Sequence, residues 1–178
     1  MKKVYLKTLA LLLSIGLSTY VHAQDIVQDG IYYDITGESE VTVTGSDGTV
    51  TNIVFPETVA DGQGNEYSVV YIGDAAFEGH EEIISVVFPS TMKATGCDIF
   101  KECFNLERVT LNEGLESMQW LCFDGALIEE ITIPSTMTSF EGETFGGLSN
   151  LKKVTSLIKE CVIRPIPVHF PGADSRAR

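Results

Sequence analysis

Residues 72–92 read Ile72-Gly73-Asp74-Ala75-Ala76-Phe77-Glu78-Gly79-His80-Glu81-Glu82-Ile83-Ile84-Ser85-Val86-Val87-Phe88-Pro89-Ser90-Thr91-Met92, and the pattern returns three times down the chain. Set in register on Phe77, Phe100, Phe123 and Phe145, the copies stand 23, 23 and 22 residues apart. Five residues before each Phe come Ile72, Thr95, Met118 and Phe140. Six residues after come Ile83, Leu106 and Leu151, and three further on Val86, Val109 and Val154. The third copy reaches its equivalents, Ile128 and Ile131, one residue early. Pro-Ser-Thr-Met occurs at 89–92 and again at 134–137.

A unit this short cannot bury its own apolar side chains, but stacked units can bury theirs against one another, which makes a solenoid. Columns of Phe, Ile/Leu and Val then run up one continuous core. Residues 85–88, 108–111, 130–133 and 153–156 alternate, mostly apolar at the second and fourth positions, as half-buried strands do. Pro89 and Pro134 directly after the strand fit a strand end, because proline cannot donate to a ladder. Gly73 and Gly96 fit tight bends. Each buried Phe or Leu contributes roughly 1.5–3 kcal/mol, so one rung gathers several such contributions and none is stable alone.

The pattern Ile-Gly-x-x-Ala-Phe, then six residues to an aliphatic, then a strand closed by Pro-Ser-Thr-Met, resembles the BspA-like leucine-rich repeats of bacterial surface proteins. That family often carries Cys three residues after the Phe. Cys103 matches, while His80, Ala126 and Leu148 occupy the same column. The resemblance covers roughly residues 25 to 159. It implies a leucine-rich-repeat solenoid, mostly β with short helical turns, in about four rungs of 22–23 residues behind a β-hairpin cap segment.

Around the array the chain divides into four parts. Residues 1–23 read as a secretory signal: Lys2, Lys3 and Lys7, an apolar run from Leu9 to Leu17, and Val21-His22-Ala23 for cleavage. The run is short of the ~20 residues that span a bilayer, so no membrane span is expected after cleavage. Residues 24–71 form an N-terminal β segment and first rung. Ile31, Tyr33 and Ile35 alternate, as do Val41 and Val43, with a turn at Gly37 between them. Asp47-Gly48 reads as a hairpin turn to Val50–Phe55, and Asp61-Gly62-Gln63-Gly64-Asn65 as a second one. Residues 72–159 are the array. Residues 160–178 are irregular, with Pro165, Pro167 and Pro171 against any regular helix and no recognisable closing unit.

The net charge is −13, and cleavage would remove three basic residues and no acidic one. Such a surface repels phosphate backbones, so nucleic acid is not an expected partner. Nucleophilic catalysis needs a base beside the nucleophile, and His80 and His169 are isolated. Neither a metal nor a cofactor is called for, and no enzyme signature is present. Cys103 and Cys122 fall in core columns, Cys97 in a bend and Cys161 in the tail, so no obligatory disulfide is expected.

What remains is a surface. Val87, Arg108, Thr110, Glu130, Thr132, Lys153 and Thr155 point away from the core on the repeated strands and are the candidate binding residues. Trp120, the single tryptophan, shares a bend column with Asp74, Cys97 and Gly142 and is a candidate aromatic anchor. The resemblance implies an exported protein, secreted or on the surface of a Gram-negative bacterium. It would bind a host extracellular matrix protein or another surface protein as an adhesin does. An envelope assembly component and a surface carbohydrate binder are the rival expectations.

Overall fold

A computed structural model describes residues 25–159. The expected signal (1–23) and tail (160–178), with His22, Cys161 and His169, lie outside them. Thirteen strands and no helix make up the described chain. The first three are β1 (Ile26–Gln28), β2 (Ile31–Ile35) and β3 (Glu40–Ser46). They form antiparallel hairpins, the first closed by Asp29 and Gly30, both at positive φ (52° and 78°), as a twist-matched two-residue turn requires. Then come β4 (Asn52–Val54), β5 (Thr58–Ala60) and β6 (Glu66–Ile72). The turn 61–65 joins β5 to β6 as expected; Asp61 accepts from the N–H groups of Gln63 (2.8 Å) and Asn65 (2.9 Å).

From there each rung contributes two strands. The repeated ones anticipated from alternation are β7 (Ser85–Val87), β9 (Arg108–Thr110), β11 (Glu130–Ile133) and β13 (Lys153–Ser156). Between them lie three two-residue strands, β8 (Ala94–Thr95), β10 (Ser117–Met118) and β12 (Ser139–Phe140). Two sheets result. One runs unbroken in the order β1-β2-β3-β6-β8-β10-β12, with β5 pairing β6. The opposite side is in two pieces, β4-β7-β9 and β11-β13, all parallel.

Two expectations need correction. Asp47-Gly48 does not close a hairpin: β3 pairs with β6, whereas β4 pairs with β7, 33 residues on, in the other sheet. The turn redirects the chain from one sheet to the other, because Val41 and Val43 face the core of the first and Ile53 that of the second. The helical turns are single i→i+3 turns, such as Glu78 N–H to Ala75 O (3.1 Å) and His80 N–H to Phe77 O (3.2 Å). Each stops at a residue of positive φ two after the Phe, namely Gly79, Glu102, Gly125 or Gly147. A left-handed residue ends right-handed winding before a second turn can form.

The core is the column array. Phe77, Phe100, Phe123 and Phe145 are buried and stack nearly parallel, with centroids 4.9, 6.0 and 6.4 Å apart and planes within 10°. Such pairs add about 0.5–1.5 kcal/mol each beyond their buried area. Ile83, Leu106 and Ile128 form a second buried column, and Val86, Val109 and Ile131 a third. Ile72, Thr95 and Met118 lie beneath the short strands. Thr95 is accommodated there because its hydroxyl meets the Cys122 thiol at 3.5 Å. At the other end β3 pairs in parallel with β6, so the N-terminal hairpins extend the sheet of the first rung while Tyr33, Val41 and Val43 join its core.

Candidate functional site

The outward faces of the repeated strands carry the candidate residues. In the first piece Val54, Val87 and Thr110 stand in one column across β4, β7 and β9, and Asn52, Ser85 and Arg108 in another. In the second piece Glu130 lies beside Lys153 and Thr132 beside Thr155. All of these except Ser85, Val87 and Thr155, which are half-buried, are exposed. Polar pairs knit the face along the stack: Ser85 Oγ donates to Asn52 Oδ1 (2.7 Å) and Lys153 to Glu130 (3.3 Å). Val54, 70 % exposed at the start of this face, was not among the expected site residues. It lies before the array whose period defined the columns.

The face is not continuous. No ladder joins β9 to β11. Tyr71 to Ser85, Ala94 to Arg108 and Ser139 to Lys153 are each fourteen positions, whereas Ser117 to Glu130 is thirteen. The missing residue falls between Phe123 and Ile128, on the path into β11. The strand arrives short, and in place of the bond that Glu107 N–H gives Ile84 O in the previous rung (3.0 Å), Leu127 N–H reaches Leu106 O (2.8 Å).

The gap so formed is a groove of about 620 Å³, lined by Glu107, Arg108, Val109 and Thr110 on one wall and Leu127, Glu129 and Glu130 on the other, with Asn150 at its margin. Arg108 N–H donates to Ile84 O (3.3 Å) and Thr110 C=O accepts from Phe88 N–H (3.0 Å), so both turn toward β7. Neighbouring strand residues turn their main-chain groups to opposite edges, which directs those of Val109 into the gap. On the far wall Glu129 O and Ile133 O accept from the next rung, at 2.8 Å from Lys152 N–H and 3.0 Å from Leu157 N–H. Glu130 and Thr132 therefore turn toward Val109.

Both ends of the gap are tied. Leu127–Leu106 closes one. At the other the Glu113 carboxylate accepts from Ser135 N–H (3.0 Å), Ser135 Oγ (2.9 Å) and Thr136 N–H (3.2 Å). Those bonds hold the Glu113 carboxyl below the usual range. Glu57 makes the same latch to Ser90 two rungs earlier, with the same lowering.

Trp120 is 49 % exposed, and its indole lies over Gly142 of the next rung, where an added Cβ would come within 2.8 Å. Phe104, exposed and not singled out from the sequence, rests in the same way near Gly125. These two aromatics cover glycines of the following rung. The cysteines sit where their columns placed them. Cys103 and Cys122 are free and buried, and burial pushes both thiols up to about 12. Cys103 donates to Phe77 O (3.0 Å) and Cys122 to Gln119 O (3.2 Å). Among the described residues, no group of three His, Cys, Asp or Glu side chains is placed to hold a metal ion, and no helix is long and apolar enough to cross a membrane.

Residues 66–161 match, in six copies, the family described as the BspA type leucine rich repeat region. A solved leucine-rich repeat protein from Bacteroides capillosus is 30 % identical, with 75 % of this chain and 99 % of that one covered at a TM-score of 0.67. A second, from Bacteroides ovatus, is 26 % identical over 74 % of this chain and 41 % of that one, at 0.59. The pneumococcal vaccine antigen PcpA shares the fold at 20 % identity and a TM-score of 0.55, over 74 % of this chain and 37 % of its own. No curated protein matches.

Proposed function

This chain belongs to the BspA-type leucine-rich repeat family, and from that premise we propose that it is an exported, non-enzymatic binding protein of the bacterial surface. It engages a protein partner, as an adhesin does, through Val87, Arg108, Thr110, Glu130, Thr132, Lys153 and Thr155. The observation that carries this reading is the exposed columns of the repeated strands, held in register from rung to rung. Solenoids present such extended surfaces to partners. Fold by itself does not license the step, which is why the site has to be argued. With it go a signal at 1–23, a cap and first rung at 24–71, the array at 72–159 and a tail at 160–178.

Envelope assembly is the rival use of the same face. The carbohydrate reading is weaker, because Trp120 is engaged over Gly142 rather than standing free as a platform. The test is capture of host matrix proteins, envelope extract and glycans by the purified chain and by a Thr110→Glu/Thr132→Glu variant. Loss of about tenfold or more in capture of a single protein, with the circular dichroism spectrum retained, is the expected result. Unchanged capture would move the site off this face.

A further inference from the structure

We infer that the gap between β9 and β11 is the part of this face that grips the partner, and that it takes a short extended loop segment carrying an arginine or lysine. The inference rests on the protein-binding reading above and deepens it. The first argument is the main chain. Elsewhere in the repeated sheet adjacent strands satisfy each other's donors and acceptors, whereas here Val109 on one wall and Glu130 and Thr132 on the other turn theirs to an open groove. Buried main-chain groups find partners, and an extended segment supplies both a donor and an acceptor at each residue, as in strand addition to an open edge.

The second argument is size. The groove's 620 Å³ lies within the range of sites that hold a ligand. Its ends are tied by Leu127–Leu106 and by Glu113–Ser135, so the occupant enters from the outer face and is extended over only about three residues at ~3.3 Å each. That geometry describes the tip of a loop and excludes a long strand.

The third argument is charge. Three carboxylates, Glu107, Glu129 and Glu130, line the groove against one guanidinium, Arg108. Glu129 and Glu130 each hold a lysine of the next rung, Lys152 and Lys153, and carboxylates retain further acceptor sites for a second cation. Leu127, 37 % exposed, offers an apolar floor for the stem of a basic side chain whose head reaches the carboxylates. Arginine is favoured over lysine because its planar fork binds a carboxylate through two bonds.

The probe is the capped pentapeptide acetyl-Gly-Val-Arg-Val-Gly amide, titrated into the full chain and followed by amide chemical shifts. Saturable shifts at Val109, Leu127, Glu130 and Thr132 are expected. Replacing the arginine by citrulline, or N-methylating the two valines, should each weaken binding at least about tenfold. These arms use the unaltered chain. Inserting one asparagine before Ile128 restores the fourteen-residue path, joins β9 to β11 and should abolish the shifts. No saturable shift at those amides, or equal binding by the citrulline and N-methylated peptides, overturns the inference. A dimer in sedimentation that the insertion dissociates would assign the groove to a second copy and overturn it too. If Thr110→Glu/Thr132→Glu loses protein capture while the insertion keeps it, the face stands and the gap falls. If the peptide binds as described but no protein is captured, the groove stands and the adhesin reading falls.

Discussion

The two sides of the solenoid are made by the same repeat, yet one sheet runs unbroken from β1 to β12 and the other parts between β9 and β11. The difference comes from where a single residue is missing. It is absent on the way from β10 to β11, whereas the return from Glu130 to Ser139 has the same nine positions as Arg108 to Ser117 and Ser85 to Ala94. The rung therefore regains its register before the continuous sheet, where Met118 pairs with Phe140, and the defect stays on one face. The Phe stack passes through it, loosening from 4.9 to 6.0 and then 6.4 Å. Coils that contact only their neighbours can absorb a local change of length in this way.

The largest expected effect removes what both sides share. Phe100→Ala takes away a fully buried ring stacked between Phe77 and Phe123, and should cost about 3–5 kcal/mol in urea denaturation, melting both sheets together. A loss under about 1 kcal/mol would mean that the two sides do not depend on a common spine.

Alkaline titration separates them next. Tyr33 and Cys122 lie on the continuous side, and burial raises the first to about 12 and the second from 9.0 to about 12; Cys103 is raised likewise. For groups whose folded value is raised, the stability they give is whole below the unfolded value and is lost as pH climbs to the folded one. Melting temperature should hold to about pH 9 and fall from there to about 12. In a Cys103→Ala/Cys122→Ala variant the fall should start nearer pH 10, the ordinary value of the remaining Tyr33. An unchanged onset would remove the thiols from the account.

Gly96→Ala attacks the continuous sheet alone, just after β8. Its Cβ would lie 2.2 Å from Asp74 Oδ1 and 2.7 Å from Asp74 N, in a bend where Asp74 also accepts from Cys97 N–H at 2.9 Å. About 1–3 kcal/mol should be lost. Faster amide exchange should follow in β6 and β8, with β9 and β11 unaffected.

The smallest effect compares the two latches. Glu57→Gln loosens rungs also joined by the β4–β7 ladder, whereas Glu113→Gln loosens rungs that lack one. Exchange at Ser135 and Thr136 should therefore rise more than at Ser90. Acid should act as the substitutions do: both carboxyls are lowered, so their contribution is present above the ordinary value and lost as pH falls through the folded one. Equal exchange would show that the gap is already bridged.

Much of this was legible in the residues. The Phe, Ile/Leu and Val columns, the four repeated strands and the early arrival of Ile128 can all be counted off the chain. What the early arrival does was not legible, because a ladder is a relation between rungs and the period records only one rung at a time. The strands β8, β10 and β12 escaped because two residues cannot show alternation. β1 and its Asp29-Gly30 turn escaped for a similar reason, at three residues. Asp47-Gly48 misled because its local chemistry is that of a hairpin, while the partner of β4 stands 33 residues away. On the site, the outward columns were read correctly as columns, but the groove between Val109 and Glu130 exists only in three dimensions.

Trp120, the one tryptophan in the chain, lies across the boundary between the third coil and Gly142 of the fourth, half in water. Its fluorescence is therefore a built-in gauge of whether those two coils stay in touch. Emission that reddens before the rest of the molecule unfolds would time the peeling of the last coil, with no label attached.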